Sequence, residues 1–124
     1  MSDRRPSRSQ DLRDRTFAFS RGVVVFCKRF FRWSEPERTL TRQLARAGIS
    51  VGGNTEEAAG AQSRPDFLSK TTVSLKEARE VHFVLRVIRE SGLDDSEEIN
   101  RLIREADELV AILTASVKSI KARS

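Results

Sequence analysis

Apolar residues in this chain recur every three or four positions in four blocks, divided by short polar segments carrying Ser, Pro, Gly and Asp. That period lays one apolar stripe on each of four α-helices. In the first block, 14–33, Phe19, Val23, Phe26, Phe30 and Trp33 follow spacings of 4, 3, 4 and 3. Phe17, Val24 and Phe31 widen the stripe, while Arg21, Lys28, Arg29 and Arg32 fall toward the opposite side. The β-branched run of Val23, Val24 and Val25 would also suit a strand. The helical period, sustained over nearly five turns, decides for a helix.

The second block, 35–61, opens on Ser34-Glu35-Pro36-Glu37, where Ser34 is a candidate N-cap with Glu37 at the capping-box position. Leu40, Leu44, Ala47 and Val51 form its stripe, and Arg38, Arg42 and Arg46 form a basic row at i, i+4, i+8. Gly52 and Gly53 interrupt it, so either the helix kinks there or another backbone approaches closely. The third block, 64–91, starts with Ser63-Arg64-Pro65-Asp66 and carries Leu68, Thr71, Leu75, Ala78, His82 and Leu85 before Gly92. The fourth, 96–121, follows Asp94-Asp95-Ser96 and repeats Ile99, Ile103, Ala106, Val110, Leu113, Val117 and Ile120 at heptad-like spacing. Four striped helices with short links predict an all-α, up-down-up-down antiparallel four-helix bundle over residues 14–124. Residues 1–13, rich in Arg and Ser with Pro6 and no periodicity, are expected to be a disordered basic arm.

Charge sharpens this picture because it is uneven. Residues 17–50 carry seven Lys or Arg against two Glu, whereas residues 93–124 carry five basic against seven acidic side chains. The front half is the electropositive end, and Arg21, Lys28, Arg29, Arg32, Arg38, Arg42 and Arg46 are the candidate contacts for nucleic-acid phosphates. Aromatic side chains are expected in the core, so such binding would select weakly for sequence.

Candidate chemistry is sparse. One Cys and one His exclude a disulfide framework, a paired thiolate metal site and a bundle di-iron centre. Cys27 lies in an apolar face, where a thiol behaves as a small hydrophobe, and its only possible base is His82. VGGN follows no strand and matches no phosphate loop. No cofactor is expected. Asn54 and Glu57, one turn apart, form the best polar pair, read as a structural hydrogen-bond network inside the bundle or between protomers. The competing reading is a small-ligand protein or enzyme using Asn54, Glu57 and His82. The chain lacks a signal-like apolar core and any run near the roughly 20 residues of a membrane span. A cytoplasmic protein with no membrane partner is expected.

Leu44, Arg46, Ala47, Ile49, Ser50, Val51, Asn54 and Glu57, then Ser63, Asp66, Phe67, Ser74, Leu75 and Glu77, are close to a run of the type LRRAxxSIxxNIAEG followed by SxxDF and SLxE. On these residues the chain resembles the four-helix-bundle family typified by the protein encoded in the intervening sequence of the large ribosomal RNA gene. Gly52-Gly53 stands where that family has Pro and a small residue, and Ala58 where Gly is common. The resemblance implies a non-enzymatic homo-oligomer, often a ring of five protomers. A related branch serves as the accessory protein of diversity-generating retroelements, which implies RNA or DNA and a reverse transcriptase as partners.

Overall fold

The computed structural model describes residues 8–30 and 34–123. Four helices account for most of them: α1 (Arg8–Phe30), α2 (Glu37–Ala59), α3 (Arg64–Glu90) and α4 (Glu97–Ala122). Each pairs with its sequence neighbour, and α1 touches α4 more lightly. Cross-helix bonds run in opposite numerical order along each pair, from Cys27–Thr41 to Arg13–Glu56 for α1 and α2 and from Arg46–Glu77 to Glu57–Lys70 for α2 and α3. The same holds for α3 and α4, from Arg89–Asn100 to Arg64–Arg123. The bundle is therefore up-down-up-down, as the stripes predict.

Three helix ends follow local sequence chemistry. The Ser63 hydroxyl accepts from the Asp66 N–H at 3.2 Å and the Ser96 hydroxyl from the Ile99 N–H at 3.3 Å. Gly92, at φ +76°, closes α3 and lets the Leu93 N–H reach the Ile88 carbonyl. The start of α2 departs from expectation. Ser34 makes no side-chain cap; the Glu35 carboxylate accepts from the Thr39 N–H and hydroxyl instead. Helix α1 begins at Arg8, not at 14, so Arg8 to Arg13 are helical. Residues 1–7, 31–33 and 124 lie outside the described residues, and with them the rest of the expected arm, Phe31, Arg32 and Trp33.

The core joins Phe19, Val23, Phe26 and Phe30 of α1 to Leu44, Ala47 and Val51 of α2, Ala78, Val81, Leu85 and Ile88 of α3, and Ile99, Ala106, Leu109 and Leu113 of α4. Each large apolar side chain so buried stabilises the fold by roughly 1.5–3 kcal/mol. Phe26 and Phe30 stack with ring centroids 5.3 Å apart. Some stripe positions shift by one residue. Val81 is fully buried while His82 is half-buried, and Leu109 takes the central place expected of Val110. Phe17 and Val24, expected to widen the α1 stripe, are exposed.

Helix α2 runs unbroken through its glycines, and the second alternative, close approach, explains them. Glycines Gly48 and Gly52, one turn apart, face α1, whereas a Cβ on Gly53 would meet nothing within 4 Å. A Cβ on Gly48 would lie 2.5 Å from Val23 Cγ1 and 2.8 Å from its Cβ; one on Gly52 would lie 2.5 Å from Ser20 Oγ and 3.1 Å from the Thr16 carbonyl oxygen. Into that gap Ser20 inserts its hydroxyl, donating to the Gly48 carbonyl at 2.6 Å and accepting from the Gly52 N–H at 3.0 Å. Gly48 and Gly52 are thus seats for a neighbouring helix.

Gly48→Ala should consequently destabilise the fold by about 1–3 kcal/mol through overpacking against Val23. Gly53→Ala should stabilise it by roughly 0.5–1 kcal/mol by removing a helix-interior glycine. Urea unfolding midpoints of the two variants would then move in opposite directions from the wild type.

Candidate functional site

The basic side chains singled out by sequence divide into two groups. Arg46 is held by α3: its guanidinium donates to Glu77 at 2.8 Å and also to Glu80. Those carboxylates, Glu80 first and Glu77 second, raise its pKa. Glu77 is itself buried, so Arg46 is the counter-ion that makes its burial tolerable. Arg29 is held by α4, pairing with Glu98 at 2.9 Å and Asp94 at 3.7 Å, donating to Ser96, and lying 5.5 Å from the Phe26 ring centroid. These two cations close helix seams through acidic partners on α4 and α3.

Arg21, Lys28, Arg38 and Arg42 are exposed and make no ion pair among the described residues. The register set by Ser20–Gly48 and Cys27–Thr41 puts them on the outer side of the α1/α2 pair. Near its end, Glu35 sits below the ordinary carboxylate range, chiefly through the Thr39 hydroxyl and with help from Arg38 and Arg42. The same outer side carries Phe17, Val24, Val25 and Ile49, with Phe17 64% and Ile49 56% exposed. The mixed apolar and cationic face is what the tertiary structure brings together. Sequence reasoning missed its apolar part, because Phe17 and Val24 fit the α1 stripe by period.

The buried polar network is built from other residues than Asn54 and Glu57. The Thr55 and Ser74 hydroxyls lie 2.9 Å apart and 3.0 and 2.8 Å from the Val51 carbonyl oxygen, so their two protons serve three contacts, one hydroxyl donating to the other while that one donates to the carbonyl. Asn54 donates only within α2, to the Ser50 carbonyl and hydroxyl. Glu57 lies at the surface, paired with Lys70 at 3.1 Å. His82 is half-buried about two turns along α3 from the Ser74 level, roughly 12 Å away. Asn54, Glu57 and His82 therefore do not converge. Cys27 is buried with its sulfur 3.8 Å from the Thr41 carbonyl oxygen, and burial pushes the thiol up to about 11, far from a reactive thiolate.

A cleft of about 620 Å³ opens where the start of α1 meets the ends of α2 and α4 and the start of α3, lined by Leu12, Ala58, Phe67, Ile112 and Ser116 among others. None of Asn54, Glu57 and His82 lines it. At its side Arg15 pairs with Glu105 at 2.8 Å and Glu108 at 3.0 Å, joining α1 to α4 and holding the guanidinium firmly charged. Among the described residues no group of three or more His, Cys, Asp or Glu is placed to share a metal ion, and no helix is long and apolar enough to cross a membrane.

Comparison with known proteins agrees with this architecture. A crystal structure from Bacteroides thetaiotaomicron, described as a protein with unknown function from the S23 ribosomal protein family, superimposes with a TM-score of 0.78 at 29% identity. The match covers 86% of this chain and 98% of that one. Comparison with curated proteins returns no match. The family model for the 23S rRNA-intervening sequence protein matches residues 9–115, from the first described turns of α1 to the last turns of α4. With the helix order, the register and the LTRQLARAGIS segment of α2 all accounted for, this chain belongs to the 23S rRNA-intervening sequence protein family.

Proposed function

We propose that the protein is a non-enzymatic, self-assembling binding module that engages nucleic acid, or a nucleoprotein, through its basic front half. One observation carries this reading: the outer α1/α2 face combines exposed Phe17, Val24, Val25 and Ile49 with four exposed cations that make no ion pair among the described residues. Apolar side chains of this size gathered on one face favour a second protein surface. A second copy of the chain is the simplest occupant, and a ring of five is the form the family resemblance implies. The unpartnered cations at the edges of such a contact remain available to phosphates. A nucleic-acid-processing enzyme, such as a reverse transcriptase, is the protein partner in keeping with this role.

The small-ligand or enzymatic alternative has less support, since Asn54, Glu57 and His82 stand apart and Cys27 is buried.

Light scattering on the purified protein is expected to give a mass near five times the 14.0 kDa protomer. Phe17→Glu with Ile49→Glu should reduce that mass to the protomer's without loss of helicity. A wild type that is monomeric at micromolar concentration would remove the assembly reading. In filter binding at low salt, Arg38→Glu with Arg42→Glu should weaken RNA or DNA binding and flatten the log–log salt dependence by about 2, one unit per phosphate contact. Arg46→Glu should act differently, lowering the thermal midpoint by several degrees because Glu77 is left buried without its partner. A wild type that binds no nucleic acid at low salt would sink the nucleic-acid reading.

A further inference from the structure

Phe83, like Phe17, is an exposed aromatic side chain, 61% exposed on α3 although Val81, Val84 and Leu85 around it are buried. Its surroundings differ from those of Phe17. Helical spacing places Arg79 four residues before it, Arg86 three after it and Lys76 seven before it, so all four share one outward strip. Each of the three cations is exposed. The nearby acids are already engaged, Glu80 with Arg46 and Glu90 with Arg89 at 2.9 Å. Lys76, Arg79 and Arg86 consequently make no ion pair among the described residues.

One apolar ring among three uncompensated cations offers too little apolar area for the core of a protein interface, which is enriched in apolar contacts and depleted of charge. It is complementary in charge and in shape to a strand of phosphates carrying unpaired bases. Guanidinium and ammonium groups hold the phosphates, and the exposed ring presents a π-face on which a base stacks. In a duplex those base faces are already covered by their neighbours, so the ring would add nothing there.

We infer that the Lys76, Arg79, Phe83 and Arg86 strip of α3 is a contact for single-stranded nucleic acid, in which Phe83 stacks one base while Arg79 and Arg86 bracket it on the backbone. The inference rests on the nucleic-acid reading above, adds a surface to it and narrows the ligand to unpaired strands. It also places one exposed aromatic, Phe83, beside the expectation that Phe and Trp side chains are mostly committed to the core.

The test is fluorescence anisotropy with a labelled oligothymidylate and a labelled duplex of equal length, at low salt, on the full-length protein. Phe83→Ala is expected to weaken single-strand binding roughly 5- to 100-fold, the size of one lost base stack, and to leave duplex binding and helicity unchanged. Phe83→Trp should restore the affinity and add fluorescence quenching by the oligonucleotide beyond that of Trp33, the one tryptophan of the wild type. Arg79→Glu with Arg86→Glu should weaken single-strand binding and reduce its salt dependence. Equal single-strand affinity of Phe83→Ala and wild type, while Arg38→Glu with Arg42→Glu still weakens binding, would overturn this assignment alone. Binding of neither probe by the wild type would overturn the nucleic-acid reading as a whole. Loss of the assembled mass in Phe83→Ala by light scattering would instead make the strip a contact between copies and overturn the assignment.

Discussion

The Ser20 hydroxyl, seated between the carbonyl of Gly48 and the N–H of Gly52, is the contact on which the front half of the molecule depends. It fits only because two residues one turn apart on α2 lack a Cβ, so α1 comes within van der Waals reach of the α2 backbone. A hydroxyl bonded to two backbone groups inside a close-packed seam has one position, and a slip of one residue would drive Val23 into a filled site. Separation, register and direction of α1 against α2 follow together. From that register comes the opposition of Cys27 to Thr41 and Arg13 to Glu56.

The other seams use different physics. Between α2 and α3 the Thr55–Ser74 pair and the Val51 carbonyl satisfy one another in a buried site, which rewards a single alignment because a half-satisfied polar cluster is costly. The Arg46 to Glu77 pair works likewise, since a buried carboxylate without its counter-ion would be strongly unfavourable. Between α1 and α4, where packing is lightest, Arg15 and Arg29 reach across to acids of α4. Pairs this exposed contribute little each. Their weight lies in pinning a seam that has fewer apolar contacts, beside the open cleft.

Spending some cations on seams sorts the rest. A sequence with a net charge of +5 has many candidate contacts, but the fold takes Arg15, Arg29 and Arg46 for itself. Of the exposed cations that make no ion pair among the described residues, one group lies beside the apolar α1/α2 face and another around Phe83 on α3, while Arg101, Lys118, Lys121 and Arg123 lie along α4 and at its end. The first two surfaces differ in apolar content, with Phe17, Val24, Val25 and Ile49 on the first and Phe83 on the second.

By itself the sequence determined the number of helices, their links and most of their inward positions, because a 3.6-residue period and a Ser cap before an acid are local signals. Leu44, Val51, Leu85 and Leu113 were legible as core for that reason, as were the caps at Ser63 and Ser96. Only the tertiary structure decided which glycines matter, which cations are free and which aromatics are outside. Gly48 looks ordinary and Gly53 looks significant until α1 is placed beside them. Arg46 and Arg42 occupy the same row, yet Glu77 and Glu80 of α3 lie within reach of one and not the other. Phe17 and Phe83 fit or flank their stripes by period and still face outward. Period reports which side of its own helix a residue occupies, whereas burial, pairing and close approach depend on what the next helix brings to that side.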